Sequence, residues 1–342
     1  MMKSKRVWVI DEGSQGHLVQ SRGLIRELGK LVPLETVEIA ARFTVRQGFL
    51  KSLTKRLLHR WRWRWLFEAT HAIAEIPATA PDLIISSGPR SLLALEYFAK
   101  TRGCPAVFVQ GTIEVPRGTV DVIMRPGGEP AREDILFIPL LFNEITPELI
   151  DRAAADFQLA HPHPEPLPLR ALFIGQSSAK IRFERTDWQH LVDFINRRWQ
   201  ADRIPWLITT SYRTGGELEE FLRSQIAPGA LHEGVWYATA PRKITREYLA
   251  RAETVFVTMD SLTMVSEAAS SGRPVTVICP ERLKLDLTDS HHRYIHQLNQ
   301  DGLIRLLRLP DELVPSAAGN VVATVDYQPT IRQLLTKIGW EA

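Results

Sequence analysis

The sequence predicts an α/β protein made of two doubly wound parallel-sheet domains, and three observations carry that prediction. Apolar runs of strand length alternate with helical patterns almost throughout the 342 residues, as parallel strands with crossover helices require. That length exceeds what one hydrophobic core usually serves, so two domains of roughly 150 residues each are expected. A proline-rich stretch, HPHPEPLPL at 161–169, separates two such series. Its prolines neither continue a helix nor join a central strand, which makes it a semi-rigid linker.

The first series, residues 1–160, opens with the strand RVWVI (6–10) and turns into HLVQSRGLIRELG. There Leu18, Leu24, Ile25 and Leu28 share one helical face. PLETVEI, DLIISS, AVFVQ and DVIMR follow as strands, with the helix SLLALEYFAK between DLIISS and AVFVQ. The second series, 170–327, starts at RALFIGQSS. Strands PWLITTS, GVWYA, TVFVT and PVTVIC come next, separated by helices near 186–199, 214–226, 245–252 and 262–271. A last helix within 328–342, TIRQLLTKIGW, comes after a break at SAAGN and can pack back on the first domain. Two such domains on a linker are expected to face a central cleft. Ligands of open parallel sheets sit beyond the carboxyl ends of the strands, so the turns at 11–17, 175–180 and 258–267 become the candidate places.

Composition narrows the function classes. With 44% hydrophobic and 24% charged residues the chain reads as an ordinary globular protein, and its net charge of +3 does not by itself imply nucleic acid. No run reaches the ~18 apolar residues of a membrane span. The start MMKSKRVWVIDEG lacks the apolar core of a secretory signal. Cys104 and Cys279 each lie inside an apolar run, against a disulfide framework or a cysteine zinc site. A cytoplasmic protein without a bound metal or cofactor is expected.

The segment TMDSLTMVSEAASSGRPVTVI (258–278) carries the most chemistry. Asp260 or Ser261 suits a helix N-cap and Gly272 the residue past the helix end, so these residues can be boundary signals alone. The same helix start also offers unpaired amides and a positive dipole end to a diphosphate. Glu267, one turn further in, can accept hydrogen bonds from the vicinal hydroxyls of a ribose; the competing reading is a solvated helix position.

The order Asp260-Ser261, Ser266-Glu267, Gly272-Arg273-Pro274 resembles the donor half of GT-B transferases, whose architecture is two Rossmann-like domains. The analogue is the undecaprenyl-linked N-acetylglucosaminyltransferase of peptidoglycan synthesis. By that resemblance Ser261, Leu262, Thr263 and Met264 face phosphates and Glu267 the ribose. A longer resemblance covers about 142–280: FNEITPELIDRAAADF, LFIGQSSAKIRFERTDWQHL, WLITTSYRT and YLARAETVFVTMDSLTMVSEAASSGRPVTVI look like the Elm-type mitochondrial fission family. Bacterial members of that family are assigned as glycosyltransferases. Its first turn commonly reads Gly-His-Glu, where this chain has Gly16-His17-Leu18.

Other turns add candidates. Gly175, Ser177 and Ser178, with Lys180, form a short turn whose amides can approach phosphate. Ser211 and Arg213 lie on a hydroxyl-rich edge where family members carry a TTSRRT-like run, so Tyr212 is a departure. The first turn holds Asp11, Glu12 and His17. An inverting transferase needs a base for the acceptor hydroxyl, and His17 sits where the peptidoglycan enzyme has a turn histidine, with Asp11 and Glu12 as alternative bases. By resemblance to the same enzyme, His292 and Arg293 touch the donor sugar. Adjacent His291 and His292 point to different helix faces and make no metal pair.

Residues 42–65 are rich in Lys and Arg and hold no acidic residue. In them Arg60, Arg62 and Arg64 alternate with Trp61, Trp63 and Trp65, a pattern suited to an anionic membrane surface. No readout motif accompanies that charge, so nucleic acid is not expected. The resulting expectation is a metal-independent glycosyltransferase on the inner face of the cytoplasmic membrane. It would move a sugar from a nucleotide-sugar donor to a lipid-linked or lipopolysaccharide-type glycan. The alternatives are a non-catalytic scaffold on a GT-B frame and a nucleotide-sugar epimerase.

Overall fold

The computed structural model describes residues 4–45, 56–57, 64–73, 75–109, 115–127, 132–161, 168–178, 180–310, 312–314 and 325–341. The chain divides into two compact units, Met1–Glu144 with Asp326–Ala342, and Ile145–Val325.

In the first unit β1 (Lys5–Asp11), α1 (Gln15–Gly29) and β2 (Leu34–Phe43) are followed by α2 (Arg64–Thr70) and β3 (His71–Ile73). Then come β4 (Leu83–Ser87), α3 (Leu92–Arg102), β5 (Ala106–Val109), β6 (Val122–Pro126) and β7 (Ile135–Ile138). The seven strands lie in the order β3-β2-β1-β4-β5-β6-β7. They run parallel except β3, which pairs antiparallel with β2 at the edge. The apolar runs Val7–Ile10 of β1 and Leu83–Ile85 of β4 show no alternation, as strands buried on both faces do. Trp8 and Ile10 point to the face closed by Phe67 and by Leu95 and Phe98 of α3. Trp8 meets Phe98 edge to face at 5.9 Å. A cluster of this size, each large side chain contributing about 1.5–3 kcal/mol, keeps the strand ends rigid.

The second unit repeats the plan. Its elements are α4 (Pro147–Ala160), β8 (Arg170–Ile174), α5 (Arg185–Asp202), β9 (Trp206–Thr210), α6 (Gly216–Gln225) and β10 (Leu231–Val235). They continue with α7 (Thr245–Arg251), β11 (Thr254–Thr258), α8 (Leu262–Ala269), β12 (Val275–Cys279), α9 (Ser290–Gln300), β13 (Arg305–Arg308) and β14 (Glu312–Val314). The order is β10-β9-β8-β11-β12-β13-β14, parallel but for β14. Phe194, Trp206 and Phe256 pack ring against ring between α5 and the sheet, at 5.0–6.1 Å.

Two boundaries differ from the sequence reading. The helix 147–160 groups with the second unit rather than closing the first, since α4 packs on α7. The aromatic ring of its Phe157 lies under Arg251 of α7, at 4.6 Å. The linker residues 162–167 lie outside the described residues. The strand expected at GVWYA instead runs Leu231–Val235 and leaves the sheet before Trp236. The Trp236 indole folds back over Gly234, where a Cβ would stand 2.6 Å from Nε1. At the end of the chain α10 (Gln328–Lys337) belongs to the first unit. Thr330 donates to the Phe137 carbonyl at 3.0 Å, and Tyr327 stacks on Phe142 at 4.8 Å.

Candidate functional site

Each sheet reverses its direction of build at one point, between β1 and β4 in the first unit and between β8 and β11 in the second. At such switch points neighbouring turns part and leave room beyond the strand ends. Asp11, Glu12 and His17 lie at the first of these places, and Gly175, Ser177, Ser178, Asp260 and Ser261 at the second.

In the first unit Glu12 follows β1 and is almost wholly buried. One carboxylate oxygen accepts the backbone amides of Arg90 and Ser91, at 2.6 and 3.0 Å, just before α3. The other lies 2.6 Å from His17 Nδ1. A carboxylate only accepts, so Nδ1 carries a proton, and in the neutral ring the lone pair is then on Nε2. The His17 side chain is 36% exposed, open enough to meet a ligand. Gly88 makes the pairing possible. Its φ is +93°, and a Cβ would stand 2.3 Å from His17 Nδ1 and 2.4 Å from Glu12 Oε1. Beneath them Ser21 and Ser87 join their hydroxyls at 3.0 Å. Glu12, expected as an alternative base, is therefore committed to two amides and a ring, and it orients His17. Asp11 accepts the Gly13 amide at 2.7 Å within its own turn.

In the second unit Asp260 lies in the turn two residues past β11 and does not cap the helix. The N-cap is Ser261, whose side chain makes no capping bond, and the first turn of α8 holds no acidic residue. The Asp260 side chain is 0% exposed. Its Oδ1 accepts the Thr258 hydroxyl at 2.7 Å. Its Oδ2 accepts the Gln176 amide at 3.0 Å and Arg213 Nη2 at 2.8 Å. Gly175, at the end of β8, donates its amide to Thr258 Oγ1 at 2.8 Å, and a Cβ on it would stand 2.1 Å from Asp260 Oδ2. Burial pushes the Asp260 pKa up, although Thr258, Gln176 and Arg213 all pull it down.

Other expected contacts are spent on the protein itself. Ser177 Oγ exchanges hydrogen bonds with the backbone of Phe183, at 2.8 and 3.1 Å. Ser178 Oγ accepts the amides of Lys180 and Ile181. These hydroxyls close the loop. Lys180 pairs with Asp289, the residue that caps α9. Ser211 Oγ accepts the Arg213 amide at 3.3 Å and sits 3.2 Å from Thr214 Oγ1, holding the turn. Leu262, Thr263, Met264 and Glu267 are half-buried on α8. Ser266, beside Glu267, is buried and meets the Tyr294 hydroxyl at 2.9 Å. His291 Nε2 lies 2.9 Å from the Met259 carbonyl, and burial lowers its pKa. His292 Nδ1 accepts the Asp286 amide at 3.0 Å, which leaves a buried Nε2 with no partner. Arg293 donates to the Leu287 carbonyl at 3.1 Å.

Two residues escaped the sequence reading. Tyr212, after β9, is 74% exposed, and Tyr237, after β10, is 43% exposed. Their rings meet edge to face at 6.3 Å. The Tyr237 amide donates to Thr210 Oγ1 at 2.8 Å, which carries it out of the strand. The sequence signal for them is Tyr212, which departs from the family's pattern, and the aromatic pair Trp236-Tyr237, whose composition is that of a strand interior.

Of the basic segment, Arg60, Trp61, Arg62 and Trp63 lie outside the described residues. Trp65 is 63% exposed on α2, and Arg64 pairs with Glu68 at 2.7 Å. Among the described residues no three His, Cys, Asp or Glu side chains gather to hold a metal ion. No described helix is long and apolar enough to cross a membrane.

The sequence pattern of the family described as mitochondrial fission ELM1 matches residues 15–330, and the chain belongs to that family. An uncharacterized protein of Rickettsia prowazekii, RP120, is 23% identical over 334 residues, which cover 88% of this chain and 90% of that protein. Among solved structures, a protein of Listeria monocytogenes described as a UDP-N-acetylglucosamine 2-epimerase superposes with a TM-score of 0.50 at 12% identity, covering 98% of this chain and 88% of that one. MurG of Acinetobacter baumannii gives 0.42 at 12% identity, over 98% and 91%. The fold is GT-B, the architecture of glycosyltransferases and nucleotide-sugar epimerases.

Proposed function

We propose that the chain is a glycosyltransferase that takes a sugar from a nucleotide-sugar donor. The observation that supports this most is the start of α8. There an uncapped first turn, free of acidic residues, lies one residue beyond the Asp260 carboxylate that grips Arg213. Helix-end amides and a guanidinium together suit the two phosphates of a donor. Glu267 then takes the ribose hydroxyls, and Tyr212 and Tyr237 offer faces on which a base can stack. His292 and Arg293 are the candidates for the sugar.

In the first unit His17 Nε2 takes the proton from an acceptor hydroxyl. The freed oxygen attacks the anomeric carbon and the new glycosidic bond forms. The bond from that carbon to the phosphate oxygen breaks, and its electron pair leaves with the nucleoside diphosphate. Charge builds on that leaving group, where the α8 amides and Arg213 are worth most. The acceptor is a lipid-linked or lipopolysaccharide-type glycan at the cytoplasmic membrane face, with Arg64 and Trp65 as the described part of the surface contact.

A thermal-shift panel of UDP, ADP, GDP and their sugars tests the reading. One of these stabilises the protein, and Glu267→Ala weakens that ligand about tenfold, the worth of a charged hydrogen-bond pair. Stabilisation by none of them sinks the donor site. A changed sugar from donor alone, without acceptor, identifies an epimerase instead. Binding without turnover identifies a scaffold.

A further inference from the structure

We infer that Asp260 is a positioning residue that aims Arg213 at the diphosphate of the donor, so that a fixed guanidinium serves where a mobile one would not. The inference rests on the donor-site reading above and adds a role for a residue that no ligand would touch.

The geometry assigns that role in three steps. The Asp260 carboxylate has no access to solvent, so it cannot meet a ligand. It draws instead on three strand ends: Thr258 from β11, the Gln176 amide after β8, and Arg213 after β9. Gly175 leaves the space that the carboxylate fills. Arg213 gives one Nη2 proton to Asp260, and its side chain has no other partner among the described residues. A guanidinium carries five N–H donors in a planar fork. With Nη2 tied to a buried carboxylate, the plane is set and the remaining donors stay available to two phosphate oxygens. An untethered arginine would instead give up its side-chain rotational freedom on binding.

The network is poorly explained as a stability device. Burial raises the Asp260 pKa despite its partners. A carboxyl whose folded pKa is raised contributes stability only at low pH, and loses that contribution as pH rises through the folded value. Held as a carboxylate at neutral pH, it costs stability, which is the mark of a group kept for work at a site.

Isothermal titration of the full chain with UDP, ADP, GDP and inorganic pyrophosphate tests the inference through a double-mutant cycle. Asp260→Asn and Arg213→Ala each weaken the diphosphate that binds by about tenfold or more, and the double variant is no weaker than Arg213→Ala alone. Gly175→Ala, which displaces the carboxylate while keeping its charge, weakens binding in the same way and serves if Asp260→Asn does not fold. Arg213→Lys keeps the charge, loses the fork, and also weakens binding. Additive losses, or unchanged binding in Asp260→Asn and Gly175→Ala, overturn the positioning role and leave the donor site standing. Failure of the unmutated protein to bind any probe removes the donor site and the inference with it.

Discussion

Replacing Gly88 by alanine tests the Glu12–His17 pairing most directly. At φ +93°, a side chain costs about 1–2 kcal/mol. The added methyl would stand 2.3 Å from His17 Nδ1, 2.4 Å from Glu12 Oε1 and 2.6 Å from the Glu12 carboxyl carbon. Ring and carboxylate must both withdraw. Withdrawal takes the buried carboxylate from the Arg90 and Ser91 amides that it now accepts at 2.6 and 3.0 Å. A buried group left short of its partners costs about 1–3 kcal/mol, and more when charged. The sum is about 2–5 kcal/mol, which for a unit of this size lowers its melting point by roughly 5–20 °C. Hydrogen exchange at the Ser91 amide reads the same change locally and accelerates by about 30-fold or more. A Gly88→Ala protein within about 0.5 kcal/mol of the parent, with Ser91 equally protected, refutes the assignment of Glu12 as the group that holds both ring and helix.

Two further predictions concern the first unit. His71 lies between Phe67 and Phe43, at 4.2 and 5.2 Å, and burial pushes its pKa from 6.5 down to about 4. The unfolded ring takes a proton near its ordinary value and the folded one does not, so the contribution is complete above pH 6.5 and is lost as pH falls toward 4. It amounts to at most about 3 kcal/mol. His71→Phe flattens the urea midpoint across that range, and an unchanged slope assigns the acid sensitivity elsewhere. Trp65→Ser weakens binding to phosphatidylglycerol vesicles about tenfold, the worth of one large side chain leaving water; equal binding removes Trp65 from any membrane contact.

The alternation of apolar runs made the two sheets legible, because buried parallel strands are apolar on both faces and β1, β4, β8 and β11 show it. Short edge strands were not: β3 and β14 have three residues each, too few for any pattern. The turns that hold the polar clusters follow strand ends and were legible as such, but the partnerships within them were not. Asp260 looks like a helix cap in sequence, and only the neighbouring turn at Gly175 shows that its carboxylate turns away from the helix. Glu12 and the amides of Arg90 and Ser91 lie 78 and 79 residues apart, beyond the reach of any local spacing rule. Tyr237 was hidden because an aromatic after an apolar run has the composition of a strand, while its amide goes to Thr210 instead of the ladder.

The placement of α10 has a consequence for biosynthesis. The second unit is one continuous stretch, Ile145–Val325, whereas the first needs residues from both sides of it. A ribosome releasing the chain from its N-terminus can complete the second sheet with its helices while the first unit still lacks α10, and with it the ring on Phe142 and the hydroxyl on the Phe137 carbonyl. A stall before residue 326 therefore leaves the half that carries His17 unfinished and the half that carries Arg213 whole. The order in which the two halves mature is written into where the chain crosses back.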